Sequence, residues 1–153
     1  MRNPNGIKKL ALIIALISIL GCQTEPDMKE QQKRVIENYI KSYNDFDING
    51  MTKDLTDNVV FENVSNGNVD LRTKGIKDFT EQAESAKQYF KQRKQTIESW
   101  KFNDSKVIIK IDYKAVLAID LPNGLKTGDT LELKGESEFE FENGKIKSIT
   151  DKS

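Results

Sequence analysis

The chain has 153 residues, with 24 basic and 24 acidic side chains, no histidine and one cysteine, Cys22. This balance lacks the clustered positive charge that nucleic-acid binding requires, and the absence of histidine excludes every histidine-dependent mechanism. A single cysteine excludes an internal disulfide, so the fold must depend on an apolar core. We expect no nucleic-acid partner and no cofactor.

The N-terminus has the pattern of an export signal. Basic residues precede an apolar run over residues 10–20, whose 11 residues are fewer than the roughly 18 that a membrane-spanning helix needs. The run ends in Ile19-Leu20-Gly21-Cys22, which resembles the lipobox of bacterial lipoproteins. The resemblance implies cleavage after Gly21 and lipidation of Cys22. The domain would then be anchored to a membrane of the bacterial cell envelope, outside the cytoplasm, and the outer membrane is preferred over the inner. The alternative is an ordinary secreted protein with a stray cysteine.

Removing the predicted signal peptide, residues 1–21, leaves 132 residues, which is a normal size for one domain. Residues 22–27 are predicted to be a polar tether, and residues 28–153 a single domain. The mature chain keeps 21 basic and 24 acidic side chains, a net charge of −3.

Apolar residues at helical spacing predict three helices. The first covers residues 28–44 and begins after a capping pattern at Asp27. A second, shorter helix follows a cap at Asp47, and a third begins after Gly75. The apolar stripes are formed by Val35, Ile36, Tyr39, Ile40 and Tyr43, by Ile48, Met51 and Leu55, and by Ile76, Phe79, Ala83, Ala86 and Phe90.

Alternating patterns predict the strands. Residues 59–64 and 68–71 flank the turn signal Asn66-Gly67, and residues 96–102 and 107–121 flank a four-residue turn. Two more strands follow, one from residue 131 and one after Asn143-Gly144. Residues 107–121 alternate between apolar and charged side chains, which predicts one buried (dry) face and one solvent-exposed (wet) face of the sheet.

The later strand carries a run of glutamates at every second position. Such spacing places carboxylates about 7 Å apart, so it does not converge them on a calcium ion. We expect a solvated outer face paired with Lys110 and Lys114, no metal site, and a monomer or weak dimer. The glutamates are Glu132, Glu136, Glu138, Glu140 and Glu142.

The predicted layout is α+β, and its order resembles the nuclear-transport-factor-2-like fold, also called SnoaL-like or ketosteroid-isomerase-like. The matching stretches are VIENYI at 35–40, NDFDI at 44–48 and LTDNVVF at 55–61. The resemblance covers about residues 35–151. It implies a cone of three N-terminal helices packed in a curved antiparallel sheet of about six strands, with a pocket inside.

The resemblance also assigns roles to single residues. Tyr39 matches the tyrosine with which steroid isomerases polarise a carbonyl, whereas the catalytic aspartate is matched by Asn63 and a second oxyanion donor by Ser137. A carboxamide has no useful basic site, so isomerase chemistry by that route is not expected. The cyclase branch uses an acid–base pair that includes histidine, which this chain lacks.

Glu98 is the one carboxylate predicted on the pocket wall. If Phe102 pairs with Val107, then Glu98 faces Ile111 on the dry side, where burial would raise its pKa. The alternative places Glu98 at the mouth, in water or paired with a basic neighbour on the same strand, Arg93 or Lys94.

Several aromatic and polar residues could line the pocket and bind a small apolar molecule, or the aromatic ones could fill the cone as core. The candidate lining is Tyr39, Tyr43, Phe61, Asn63, Trp100, Tyr113 and Ser137. Lys87, Lys91, Arg93 and Lys94 are predicted at the end of the third helix, where the helix dipole favours cations. Contact with anionic lipid headgroups is the alternative for that cluster.

Three functions follow from these predictions. The first is non-enzymatic binding of a small apolar ligand or a protein partner by a lipid-anchored domain. The second is an acid–base enzyme that uses Glu98 and Tyr39. The third is a structural accessory domain with a filled cone.

Overall fold

A computed structural model describes residues 25–153 of the protein. The predicted signal peptide and the predicted lipidation site, Cys22, lie outside the described residues. Among residues 25–153, no helix combines the length and the apolar character needed to cross a bilayer.

Three helices are present, α1 (Glu25–Asn44), α2 (Ile48–Thr52) and α3 (Ile76–Lys87). Helix α1 already includes Asp27 in its first turn, so the predicted cap at Asp27 is wrong. The cap of α2 is confirmed, because Oδ1 of Asp47 accepts a hydrogen bond from the Gly50 amide at 2.9 Å. Helix α3 follows Gly75, whose φ of 86° favours glycine over any residue with a side chain.

Six strands form one curved sheet in the order β2-β1-β6-β5-β4-β3. Neighbouring strands are antiparallel except β1 and β6, which run parallel, so the sheet is mixed rather than antiparallel as predicted. The strands are β1 (Leu55–Ser65), β2 (Asn68–Lys74), β3 (Phe90–Asn103), β4 (Lys106–Leu117), β5 (Thr130–Glu142) and β6 (Lys145–Lys152).

Several strand boundaries differ from the prediction. Strand β1 begins at Leu55, which was predicted on the second helix, and β2 ends at Lys74 rather than at residue 71. Strand β3 begins at Phe90 rather than at residue 96, and β4 ends at Leu117 rather than at residue 121. Polar residues over 91–96 hide the start of β3 from a search for apolar alternation. Beyond Leu117 the chain turns away from the sheet, and Ile119 is 40% exposed.

The core lies between the concave face of the sheet and the helices. Ile36 and Tyr39 of α1 pack with strand residues such as Phe139 and Ile149, all of them buried. Every buried member of this core lies within residues 36–149. A fragment spanning residues 25–153 therefore contains every core residue that the structure describes.

The outer face of the sheet is charged, as predicted. Lys114 Nζ lies 2.6 Å from a carboxylate oxygen of Glu132, and Lys110 is the cross-strand neighbour of Glu136. Within the described part of the chain, no cluster of three or more histidine, cysteine, aspartate or glutamate residues is placed to hold a metal ion.

Candidate functional site

A cavity of about 350 Å³ lies between the concave face of the sheet and helices α1 and α3. This volume falls in the usual range for small-molecule sites. Exposed lining residues, among them Leu133 and Ser153, mark its mouth. The wall is mainly aromatic and aliphatic and includes Tyr39, Tyr43, Met51, Phe61, Phe79, Phe90, Ile111, Tyr113 and Leu131.

Five of the seven predicted lining residues border this cavity: Tyr39, Tyr43, Phe61, Asn63 and Tyr113. The predicted place of Ser137 in the wall is wrong, because Ser137 is only 1% exposed and does not line the cavity.

The predicted place of Trp100 in the wall is wrong. Trp100 stacks on Phe102 with the ring centroids 6.0 Å apart, and the ammonium of Lys33 lies 6.0 Å from its ring. Lys33 belongs to α1, and Trp100 packs against the edge of the core and does not line the cavity.

The predicted position of Glu98 on the pocket wall is also wrong. The predicted pairing of Phe102 with Val107 is confirmed, and Trp100 pairs with Ile109, but the register shifts between Ile97 and Ser99. Ile97 rather than Glu98 therefore pairs with Ile111. One extra residue in a strand moves the following side chains to the opposite face.

As a result of that bulge, the Glu98 side chain is 46% exposed, and its carboxylate lies 3.4 Å from Lys134 Nζ. The alternative of a wetted, paired Glu98 is therefore right about its exposure, although the partner is Lys134 of β5 rather than a neighbour on β3. Glu98 is therefore not placed to act as an acid or a base inside the cavity.

A different carboxylate lines the cavity, that of Asp151 on β6. Asp151 is the cross-strand neighbour of Asn63 on one side and of Ser137 on the other. Ser137 Oγ donates a hydrogen bond to Asp151 Oδ1 at 2.5 Å. Burial raises the pKa of Asp151 to about 6, although the hydrogen bond from Ser137 acts in the opposite direction. The sequence carried one signal, since Asp151 follows the core residue Ile149 by two positions.

Three tyrosines surround the middle of the cavity. Burial raises the pKa of Tyr39 well above its usual value, so its hydroxyl stays neutral and can donate a hydrogen bond. The hydroxyls of Tyr43 and Tyr113 lie 3.4 Å apart, and burial raises the pKa of both groups.

Arg93 and Gln95 form a second polar end of the cavity. Both belong to β3, and they are only 5% and 8% exposed. The Nε of Arg93 donates to the carbonyl of Tyr43 at 2.8 Å. The predicted cation cluster at the end of α3 is therefore wrong: only Lys87 belongs to α3, whereas Lys91, Arg93 and Lys94 belong to β3, and Arg93 is buried.

The side chain of Asn44 fastens this end of β3 to α1. Its amide nitrogen donates to the carbonyl of Gln95 at 3.0 Å, and its oxygen accepts from the Gln95 amide at 2.7 Å. Arg93 and Gln95 are therefore held in place by the end of the helix. Sequence reasoning missed both as cavity residues. The available signal was their spacing, because Arg93 precedes Ile97 by four residues and Gln95 precedes it by two.

The fold and its cavity agree with the result of a comparison with protein-family profiles. The family profile described as the SnoaL-like domain matches residues 36–149, and the chain belongs to this family. No curated protein sequence matches the chain.

Solved structures share the nuclear-transport-factor-2-like fold. A proposed polyketide cyclase from Xanthomonas campestris has a TM-score of 0.70 and 18% identity, over 82% of this chain and 92% of that one. An NTF2-like protein of unknown function from Burkholderia pseudomallei has a TM-score of 0.65 and 12% identity, over 79% and 88%. An LEH-like epoxide hydrolase from M. tuberculosis has a TM-score of 0.64 and 15% identity, over 80% and 82%. At these identities the likeness concerns the fold alone.

Proposed function

We propose that this protein is a lipid-anchored envelope protein whose SnoaL-like domain binds a small, largely apolar molecule without transforming it. The observation that carries the proposal is the open cavity of about 350 Å³ with a mainly aromatic wall. A few polar side chains converge on this wall, as is usual for sites that orient a ligand.

The same observation argues against a filled cone. The rings of Tyr39 and Phe79 pack against each other with their centroids 6.4 Å apart, yet space for a ligand remains beside them. A purely structural domain has no need of a cavity of this size, because empty apolar space costs stability. Binding therefore accounts for the cavity better than packing alone.

Two measurements test ligand binding. Native mass spectrometry of the protein purified from cells should find a co-purifying small molecule. The fragment 25–153 should also bind the neutral probe N-phenyl-1-naphthylamine, with an increase in the probe's fluorescence. An absence of both signals would contradict the proposal.

A matched pair of variants locates the probe. Ala83 lines the cavity from α3, so Ala83→Phe should fill the space and weaken probe binding by roughly tenfold or more. Ser85 lies two residues further along the helix and is exposed, so Ser85→Phe should leave binding unchanged. Equal effects of the two substitutions would place the probe elsewhere.

The anchoring part of the proposal rests on Cys22 and the lipobox-like residues before it. Acyl chains on Cys22 would hold the domain at a membrane. We expect Cys22→Ser to move the protein from the membrane fraction to the soluble fraction, and the N-terminal peptide of the native protein to carry fatty acids. A native N-terminus at another residue would contradict this part alone.

A second function is favoured by Asp151, which takes the place that Glu98 was predicted to hold. A carboxylate with a pKa of about 6 can accept a proton near neutral pH, and the neutral phenol of Tyr39 lines the same cavity. Proton transfer next to a ketone carbonyl is the reaction that this pair could support.

Deuterium exchange tests this second function. With 2-tetralone as probe, exchange beside the carbonyl should accelerate as the pH rises through about 6, because the ionised Asp151 is the base. Asp151→Asn should abolish the acceleration, whereas Glu98→Gln should not change it. Exchange no faster than in buffer would exclude this function for this class of ketone.

A further inference from the structure

Arg93 is a buried cation that has no carboxylate partner in the part of the chain that the structure describes. Among residues 25–153, no aspartate or glutamate oxygen lies within 4.0 Å of its guanidinium, although many exposed lysines have such partners. Asp151 borders the same cavity, but its pKa is governed by burial and by Ser137, with no lowering by Arg93. The two charged groups therefore do not form an ion pair.

The surroundings of Arg93 compensate its charge only in part. The guanidinium carbon lies 3.8 Å from the ring centre of Tyr43 and 4.4 Å from that of Phe46. Rings in these positions attract a cation. The Tyr43 carbonyl lies at the end of α1, where the helix dipole is negative and also stabilises the guanidinium charge. These contacts orient the guanidinium, but they occupy only part of its five N–H donors.

Two buried polar atoms at this end of the cavity have no hydrogen-bond partner among residues 25–153. One is Nη2 of Arg93, a donor, and the other is Oε1 of Gln95, an acceptor. Both residues are more than nine-tenths buried and line the cavity. Positions two apart on a strand face the same side, so both atoms are available to one ligand. Buried polar groups without partners are rare and costly in folded proteins.

We propose that Arg93 and Gln95 form an anion subsite at one end of the cavity. The ligand would be an apolar organic acid whose carboxylate, or a similar oxyanion, pairs with Arg93. A hydroxyl or N–H group next to that anion would donate to Gln95. This inference rests on the proposed binding function and specifies its ligand class.

The competing explanation is that Arg93 only locks the end of α1 onto β3. If Arg93 had only this structural role, its loss would weaken the binding of all ligands alike, because it would change the shape of the cavity. An anion subsite affects only ligands that carry a negative charge. The discriminating readout is therefore the preference between a charged and a neutral ligand of the same shape.

A matched pair of probes measures that preference on the fragment 25–153. 8-Anilinonaphthalene-1-sulfonate is an apolar anion, and N-phenyl-1-naphthylamine has the same aromatic body without the sulfonate. Arg93→Met should weaken binding of the anionic probe by roughly tenfold or more and change the neutral probe by less than about twofold. Lys94→Met removes the neighbouring exposed cation and should change neither. An equal loss for both probes in Arg93→Met, or no loss for either, would overturn the subsite.

A second measurement uses the unmodified fragment, in case Arg93→Met does not fold. 2-Naphthoate should displace bound N-phenyl-1-naphthylamine at a concentration at least about tenfold lower than the isosteric neutral 2-naphthamide. This preference should persist in 0.5 M NaCl, because salt screens surface lysines much more than a buried guanidinium. Equal displacement, or loss of the preference in salt, would overturn the subsite. Failure of N-phenyl-1-naphthylamine to bind at all would instead count against the proposed function.

Discussion

The two faces of the sheet differ in the surroundings of their charged side chains. On the outer face, Lys114 and Glu132 lie 2.6 Å apart, and their side chains are 65% and 66% exposed. On the inner face, Arg93 and Asp151 have no oppositely charged partner within 4.0 Å among residues 25–153. Water solvates the outer charges, so their exact partners matter little. A charge on the inner face loses that solvation, so it has to be explained by a specific role.

The largest expected difference between the two faces concerns packing. Phe139 of β5 is fully buried and meets the Tyr39 ring edge-on, so Phe139→Ala should lower the free energy of unfolding by about 3–5 kcal/mol. Glu140, the next residue, lies on the outer face, and Glu140→Ala should cost much less. Urea denaturation of the fragment 25–153 measures both. Similar losses would mean that the two faces do not differ as described.

The next largest effect concerns the charge of Asp151. Its folded pKa of about 6 lies above the ordinary value of 3.8, so the folded state binds the proton more tightly than the unfolded state. Stability from this group is therefore greatest below pH 4 and is lost as the pH rises through 6. Asp151→Asn removes that loss and can still accept the hydrogen bond from Ser137.

We expect Asp151→Asn to stabilise the fold by about 1–3 kcal/mol above pH 6.5, with little effect below pH 4. The lower end of that range allows for water in the cavity, which the carboxyl borders. Urea denaturation of both proteins at pH 4 and pH 7.5 checks the expectation. A stabilisation that is equal at both pH values would show that the carboxyl is not the cause.

A smaller effect should follow from removing the donor to Asp151. Ser137→Ala deletes the hydroxyl that lies 2.5 Å from Oδ1 of Asp151 and should cost about 1–2 kcal/mol at neutral pH. The pKa of Asp151 should move further upward, because the lost hydrogen bond favours the ionised form. Carbon-13 NMR titration of the carboxyl measures this direction. Ser99→Ala, at an exposed position, is the control and should leave the titration unchanged.

The smallest effect should come from the outer face. A double-mutant cycle that replaces Lys114 and Glu132 by alanine, singly and together, should give a coupling too small to measure, because both side chains are largely in water. The same cycle at high salt should not differ. A large coupling would mean that the outer pairs contribute to stability in the way that buried pairs can.

The sequence predicted the parts of the fold that depend on local rules. The periodicity of 28–44 predicted most of α1, Asp47 predicted the start of α2, and Asn66-Gly67 predicted the turn between β1 and β2. The alternation in β4 and β5 predicted their dry and wet faces. Each of these patterns records burial within one element, so no knowledge of distant contacts was needed.

The site was less predictable, because it depends on exceptions to those patterns. A single bulge near Ile97 turned Glu98 outward, and no feature of the sequence marks this insertion. Arg93 and Asp151 face inward although they are charged, which contradicts the rule that places charged residues in water. Only their spacing from Ile97 and Ile149 indicated their direction. Functional residues are expected to break folding rules in this way.

The position of β6 in the sheet determines the order in which the fold can be completed. Among residues 25–153, strands β1 and β2 form one part of the sheet and β3 to β5 another, and within the sheet these parts are joined through β6, the last of the six strands. Pairs such as Leu55 with Ile146 span most of the domain, and contacts of this range slow folding. The sheet would thus remain incomplete until β6 is available. Refolding kinetics followed by Trp100 fluorescence would measure this delay directly.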